Sequence, residues 1–357
     1  MPAVPPPAPS TGFLAGVNYP WIRTEDLRQN YGADFGETRQ GGRAGVVRHA
    51  ATVRAHFAAI AGLGLRVVRW FVFCDGRGGI TFDDEGVPAG PAPGFFEDLD
   101  AALALAHEQG LLLNLVLLDF LWLRDEKIPG NLAPRLRRRL IATADGRRAL
   151  IERVFIPAFR RAAGHPALFA WEAMNEPEFG IREMDGPFHR APHGVPLREF
   201  RMFCRAVGEA VHEHGMARFT LGTTRVRYLP VWEAEELGLD FLQLHPYADF
   251  LAAKRDRGVY GRSFADLGLR KPLVVGEIPA RGYDGGAPAT ADYLDFLLEA
   301  GYAGGWIWSY NAGDPYSGIE PDPLRRWAAR NEGRLATASS ALAFAPPRRG
   351  GPSPTMT

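Results

Sequence analysis

Two stretches carry the residues best equipped for chemistry. Phe169-Ala170-Trp171-Glu172-Ala173-Met174-Asn175-Glu176-Pro177-Glu178 runs from apolar residues into an amide, a carboxylate and a proline. Lys271-Pro272-Leu273-Val274-Val275-Gly276-Glu277-Ile278-Pro279 repeats the pattern later in the chain. A buried strand that presents polar side chains at the mouth of a sheet reads this way. Pro177 cannot continue a hydrogen-bonded ladder, and it predicts an extended backbone at Glu176. Glu176 and Glu277, each at a strand end, can divide acid–base labour. Glycosidic cleavage needs one protonated carboxyl to donate to the leaving oxygen. It also needs one ionised carboxylate, as nucleophile or as base for a water.

Other strand-like runs deliver possible partners. Phe241-Leu242-Gln243-Leu244-His245-Pro246-Tyr247 places His245 and Tyr247 two apart, on one side if the strand stays regular through Pro246. An imidazole and a phenol there can orient a carboxylate or meet sugar hydroxyls. Arg69, inside the run Val67–Phe73, must be paired if buried, either with a carboxylate of the site, which it would hold ionised, or in a structural ion pair. Gly305-Trp306-Ile307-Trp308 puts two indoles on one face. Trp306 is deeper and reads as core, whereas Trp308 is a candidate floor for a sugar ring. Trp122, Trp21 and Tyr19 offer further aromatic surface. Asp119, Asp75 and His245 lack the spacing of metal ligands, so neither metal nor cofactor is expected. Cys74 lacks a base and reads as a small buried residue, and Arg135 to Arg139 reads as a solvated helix face.

The elements that must position these groups alternate along the chain. β-rich runs fall at Phe13–Asn18, Arg66–Phe73, Leu111–Leu118, Leu168–Met174, Arg218–Thr223, Phe241–Leu244, Leu273–Gly276 and Gly304–Trp308. Helical patterns lie between them, with Val53, Phe57, Ile60 and Leu63 on one face, Phe95, Leu99 and Leu103 on another, and Leu294, Leu297 and Leu298 on a third. Gly64, Gly110, Gly215 and Gly301 are placed to end helices. Eight strand–helix repeats predict a single-domain α/β fold, a (β/α)₈ TIM barrel, over residues 13–334. Both carboxylates then lie on the C-terminal face of the barrel, where barrel enzymes hold their chemistry. The proline-rich residues 1–12 and the tail 335–357 are expected to be disordered and outside the barrel. Three long connections, about 19–46, 75–94 and 179–195, are candidate cleft walls or lids, the last carrying Met184, Phe188, His189 and His193.

Composition bounds the partners. The chain has 357 residues, 46% hydrophobic and 23% charged, the profile of a globular protein with an ample core. Basic and acidic residues balance at 41 each, so no electrostatic footprint for nucleic acid or an anionic membrane is expected. Two cysteines make no disulfide framework. The N-terminus lacks the pattern of a signal peptide, and the expected location is the cytoplasm, or outside the cell if an export signal has been removed. The expected state is a monomer or a weak homo-oligomer with a carbohydrate as its partner.

Taken together, Trp171 to Pro177, His245-Pro246-Tyr247, Gly276-Glu277 and Trp308 resemble clan A of the glycoside hydrolases, most closely cellulase family 5 and its β-mannanase-like members. The likeness spans about 13–327, and the order of the motifs makes it specific. It implies a retaining β-glycosidase acting on β-mannosides or β-glucosides, with Glu176 as acid/base and Glu277 as nucleophile. It further implies that Asn175 binds the sugar 2-hydroxyl, Tyr247 and Arg69 position Glu277, His245 borders the subsite and Trp308 floors it. On that reading Glu277 raises the pKa of Glu176, while Arg69 keeps that of Glu277 low. A transglycosylase on the same site, or a barrel that binds carbohydrate without catalysis, are the alternatives. The third strand departs from the family: many members carry a histidine near its end, where this chain has Leu117-Leu118-Asp119-Phe120-Leu121-Trp122.

Overall fold

The computed structural model describes residues 12–23, 33–42, 45–184, 191–247, 258–280, 289–341 and 343–344. Eight parallel strands close into a barrel, in the order in which they occur along the chain: Leu14–Asn18, Val67–Phe71, Leu112–Asp119, Leu168–Asn175, Arg218–Thr223, Leu242–Leu244, Leu273–Pro279 and Gly304–Trp308. These are the eight runs read from the sequence, each lying within a residue or a few of its expected bounds. Strands in a closed parallel barrel are covered by side chains inside and helices outside, so they read as continuous apolar runs. Every residue of the first seven is buried.

The helices follow the periodicity. Ala50–Gly62 buries Val53, Phe57 and Ile60, Phe95–Glu108 buries Leu99 and Leu103, and Thr290–Glu299 buries Leu294, Leu297 and Leu298. Gly64, Gly110 and Gly301 adopt left-handed conformations after helices, as helix-ending glycines do. Gly215 does not. It closes the last helical turn itself, and Met216 takes the left-handed position at φ 49°. Arg137, expected on a solvated face, is buried and donates to the Leu132 and Glu126 carbonyls at 2.7 Å each.

The connection after the second strand folds as an antiparallel hairpin, Ile80–Phe82 with Pro88–Pro91. Parts of the other two long connections, among them Phe188 and His189, lie outside the described residues. No helix among the described residues is long and apolar enough to cross a membrane.

The start of the tail corrects the expectation for residues 335–357. Leu335 pairs with Phe13 in a β-bridge, and a short helix, Ala338–Ala341, leads to Phe344, which is 2% exposed. The Phe344 ring stacks on Phe169 at 6.2 Å and meets Phe241 edge-on at 5.7 Å. Its carbonyl accepts from Arg218, whose guanidinium lies 5.1 Å from the Phe169 ring. Leu14, Val67, Phe169, Phe241 and Trp306 would otherwise leave an apolar floor open to water, and the segment covers it. Phe344→Ala should therefore destabilise the fold by about 3 kcal/mol, the lower range for truncating a buried aromatic. Guanidinium unfolding of wild type and variant would show it as a lowered midpoint.

Candidate active site

Arg69 is the hub around which the mouth of the barrel is built. It sits on the second strand, in register with Asn18 on the first and Asn114 on the third, and it is fully buried. Its three nitrogens make five hydrogen bonds. Nε donates to Glu172 Oε2 at 2.8 Å and Nη2 to Glu172 Oε1 at 2.6 Å, a bidentate pair. Nη2 also reaches Asn175 Oδ1 at 2.7 Å, while Nη1 reaches Asn18 Oδ1 at 2.9 Å and Glu277 Oε1 at 2.7 Å. The arginine thus pairs at once with Glu277 of the candidate site and with Glu172 inside the fourth strand. Asn114 Nδ2 donates to Glu172 Oε2 at 2.8 Å, and Asn18 Nδ2 to the Gly276 carbonyl beside Glu277 at 2.8 Å.

Glu172, Asn18 and Asn114 were not singled out by the sequence reading. Their signal was available: each is a polar residue inside an otherwise apolar strand. A buried polar group of that kind needs a partner, and a buried arginine needs several. Gly222 on the neighbouring fifth strand leaves them room. A Cβ there would lie 2.7 Å from Glu172 Oε1 and 2.8 Å from the His245 ring.

Glu176 stands just beyond the end of the fourth strand, in a conformation the sequence reading did not anticipate. Its backbone is left-handed, with φ 48° and ψ 51°, rather than extended. The proline after it disfavours the right-handed helical region, and the left-handed region escapes that clash as well. A tight turn over Pro177–Phe179 selects it: the Glu176 N–H donates to the Gly222 carbonyl at 3.0 Å and its own carbonyl accepts from Phe179 at 3.1 Å. Such a backbone costs about 1–3 kcal/mol and persists where its surroundings over-determine it. Glu178 supplies part of that restraint, buried against Thr223, Thr224 and the Trp232 indole, whose Nε1 lies 2.6 Å from its carboxylate.

Glu277 takes Arg69 on one oxygen and the Tyr247 hydroxyl on the other at 2.9 Å. The sixth strand ends at Leu244, and the Tyr247 N–H turns back onto the His245 carbonyl at 2.9 Å, so the segment is not a regular strand through Pro246. His245 and Tyr247 nonetheless both reach the carboxylates. His245 Nδ1 lies 3.1 Å from Glu176 Oε1 and 3.5 Å from Glu277 Oε1. One potential ligand atom from each of Glu176, His245 and Glu277 falls within 4.8 Å of the others. A metal ion could use such a trio, but the Arg69 cation already holds Glu277 and opposes a second positive charge there.

Burial pushes the Glu176 carboxyl well above its ordinary range, and the nearby Glu277 pushes it further. The expectation that Arg69 holds Glu277 low is overturned. Burial raises the Glu277 carboxyl to about 7, although Arg69 and Tyr247 both pull it down. The order within the pair is set by donors: Glu277 receives two hydrogen bonds that favour its anion, whereas Glu176 has beside it a His245 that burial, then Arg69, keep neutral. These donors favour the anion on Glu277 over the anion on Glu176.

Asn175 has both ends engaged, Oδ1 by Arg69 and Nδ2 by Asp119 Oδ2 at 3.0 Å. Burial raises the Asp119 carboxyl to about 7, opposed by hydrogen bonds from Leu121 and Asn175. Trp308 is partly exposed, its indole N–H fixed by Asp314 Oδ2 at 2.8 Å and its ring packed against Phe71, Cys74 and Val116. Trp306 belongs to the barrel floor, as expected. Trp122 does not line a cleft. It is fully buried and donates to the Cys74 carbonyl at 2.8 Å, so it cannot stack on a sugar. Tyr19 is likewise buried, hydrogen-bonded to His56 at 2.9 Å. Cys74 is buried, and burial raises its thiol well above the usual range, leaving it unreactive.

No protein-family model matches the chain, and no curated protein matches it in sequence. Solved structures do match. The β-mannanase of the blue mussel Mytilus edulis superposes with a TM-score of 0.72 at 19% identity, over 93% of this chain and 97% of its own. The endo-1,4-β-mannanase of Eisenia fetida gives 0.70 at 23% identity, over 90% and 91%. GH5_18 from Streptomyces cattleya, in complex with Manβ1-4GlcNAc, gives 0.55 at 17% identity, over 88% and 82%. The likeness at these identities is one of fold, and the fold is the (β/α)₈ barrel of the β-mannanases.

Proposed function

We propose that this protein is a retaining β-glycosidase acting on β-mannoside- or β-glucoside-type oligo- or polysaccharide. The observation that carries the reading is the pair formed by the partly buried Glu176 and the buried Glu277, with one oxygen of each within 4.8 Å of the other and unequal partners. Retaining enzymes hold their carboxyl groups about 5–5.5 Å apart, while inverting ones need about 6.5–9.5 Å to admit a water. The gap between the nearer oxygens, below 4.8 Å, is compatible with the retaining arrangement. The named β-mannanases of the same fold support the substrate class.

In the first step Glu277 attacks the anomeric carbon while Glu176 gives its proton to the departing oxygen. The bond to the leaving group breaks as the glycosyl ester on Glu277 forms. In the second step Glu176, now ionised, takes a proton from water as that water attacks the same carbon and releases Glu277. Arg69 and Tyr247 stabilise the carboxylate on leaving, Asn175 binds the sugar 2-hydroxyl, and Trp308 supports the ring face, with His245 at its border.

Hydrolysis of aryl β-mannosides and β-glucosides, followed by ¹H NMR, tests the mechanism directly. The β-anomer should appear first and mutarotate to the equilibrium mixture. First appearance of the α-anomer would overturn retention. No turnover on any β-linked glycoside, glucan or mannan would overturn the whole reading.

A further inference from the structure

We infer that Asp119 is a positioning residue for the Asn175 amide, fixing which of its faces is offered to the sugar. The inference rests on the glycosidase reading for its substrate and on geometry for the rest. Asn175 Oδ1 accepts from Arg69 Nη2 at 2.7 Å, and Asn175 Nδ2 gives one N–H to Asp119 Oδ2 at 3.0 Å. Flipping the amide would turn its NH₂ onto the guanidinium, a repulsive contact whatever the pH, and its carbonyl onto the carboxyl, repulsive when Asp119 is ionised. The two anchors therefore permit one orientation, with the second Nδ2–H free to donate.

Asp119 is held rigidly enough to impose this. It ends the third strand in register with Asn175, is 1% exposed, and its backbone N–H donates to the Cys74 carbonyl at 2.9 Å. Its other oxygen, Oδ1, accepts from the Leu121 N–H at 3.0 Å and so caps the turn Phe120–Trp122. The two duties use different oxygens. An aspartate can perform both, whereas an asparagine has one acceptor and must give up one of them.

Asp119→Asn separates the duties. With its carbonyl kept on Leu121, the variant presents an NH₂ to the Asn175 NH₂, and the amide loses its second anchor. On a pair of aryl β-glycosides differing only in the C2 hydroxyl, kcat/KM should fall about tenfold on the hydroxylated substrate, the size expected for one buried hydrogen bond to a charged group. On the 2-deoxy analogue it should hardly change. Equal losses on both substrates, or none on either, would overturn the inference. Absence of turnover by wild type on either would overturn the glycosidase reading instead, and a second readout keeps Asp119 testable in that case. With selective ¹⁵N-asparagine labelling, the two Asn175 side-chain protons should be inequivalent and protected from exchange in wild type, and lose that protection in Asp119→Asn. Unchanged protection would overturn the positioning role whatever the activity.

Discussion

Glu277→Ala is expected to lower kcat on aryl β-glycosides by on the order of 10⁴-fold or more, and added azide to restore part of the rate. The loss follows from removing the only carboxylate of the pair whose anion is favoured by two donors, Arg69 on one oxygen and Tyr247 on the other. The rescue follows from the space left. A small anion in place of the missing carboxyl attacks the same face of the sugar, and with no second displacement the product is the α-glycosyl azide. Glu176→Ala should behave differently. Its first step should be slowed little for a phenolate that leaves without protonation and greatly for a sugar, and azide should then give the β-product. Kinetics on two leaving groups, with the azide adducts identified by NMR, check the division of labour. Wild-type turnover in Glu277→Ala would place the chemistry elsewhere. An α-adduct from the Glu176 variant instead would exchange the two roles.

The barrel was legible because each strand is buried on both faces and therefore written as an apolar run. The two glutamates were legible because they interrupt such runs at their ends. What lay between was harder to read. Glu172 sits in the middle of the fourth strand, and nothing in that strand says that it meets Arg69 of the second; closure of the barrel brings them together. The extended backbone expected at Glu176 failed for a related reason. The rule for residues before proline removes one region without choosing between the others, and the Gly222 carbonyl and the turn over Pro177–Phe179 make the choice. Trp122 misled because proximity to a strand end says nothing of which way an indole turns. The segment around Phe344 misled because its small, polar composition hides one ring that fills the barrel floor. The sign at Glu277 depended on magnitudes. Arg69 is shared with Glu172, so its pull on Glu277 does not overcome burial.

That sharing makes Arg69 the position where substitution should cost most stability. Its five hydrogen bonds use the five N–H donors of a guanidinium in one plane. Lysine brings three donors from a single point and cannot span Asn18, Glu172, Asn175 and Glu277, so Arg69→Lys should abolish activity despite keeping the charge. Arg69→Met goes further and leaves the fully buried Glu172 carboxylate without its cation, a change that typically costs about 3–5 kcal/mol. The sign of a double substitution separates this explanation from simple loss of packing. Arg69→Met with Glu172→Met removes both members of the bidentate pair, and replacing buried ion pairs by apolar groups of similar volume is often close to neutral. The double variant should therefore recover much of the stability lost by Arg69→Met and none of its activity, since Glu277 and Asn175 still lack the arginine. Urea denaturation followed by tryptophan fluorescence, beside turnover of an aryl β-glycoside, reads both quantities. If the second substitution only adds to the damage of the first, Glu172 is not the charge that Arg69 compensates.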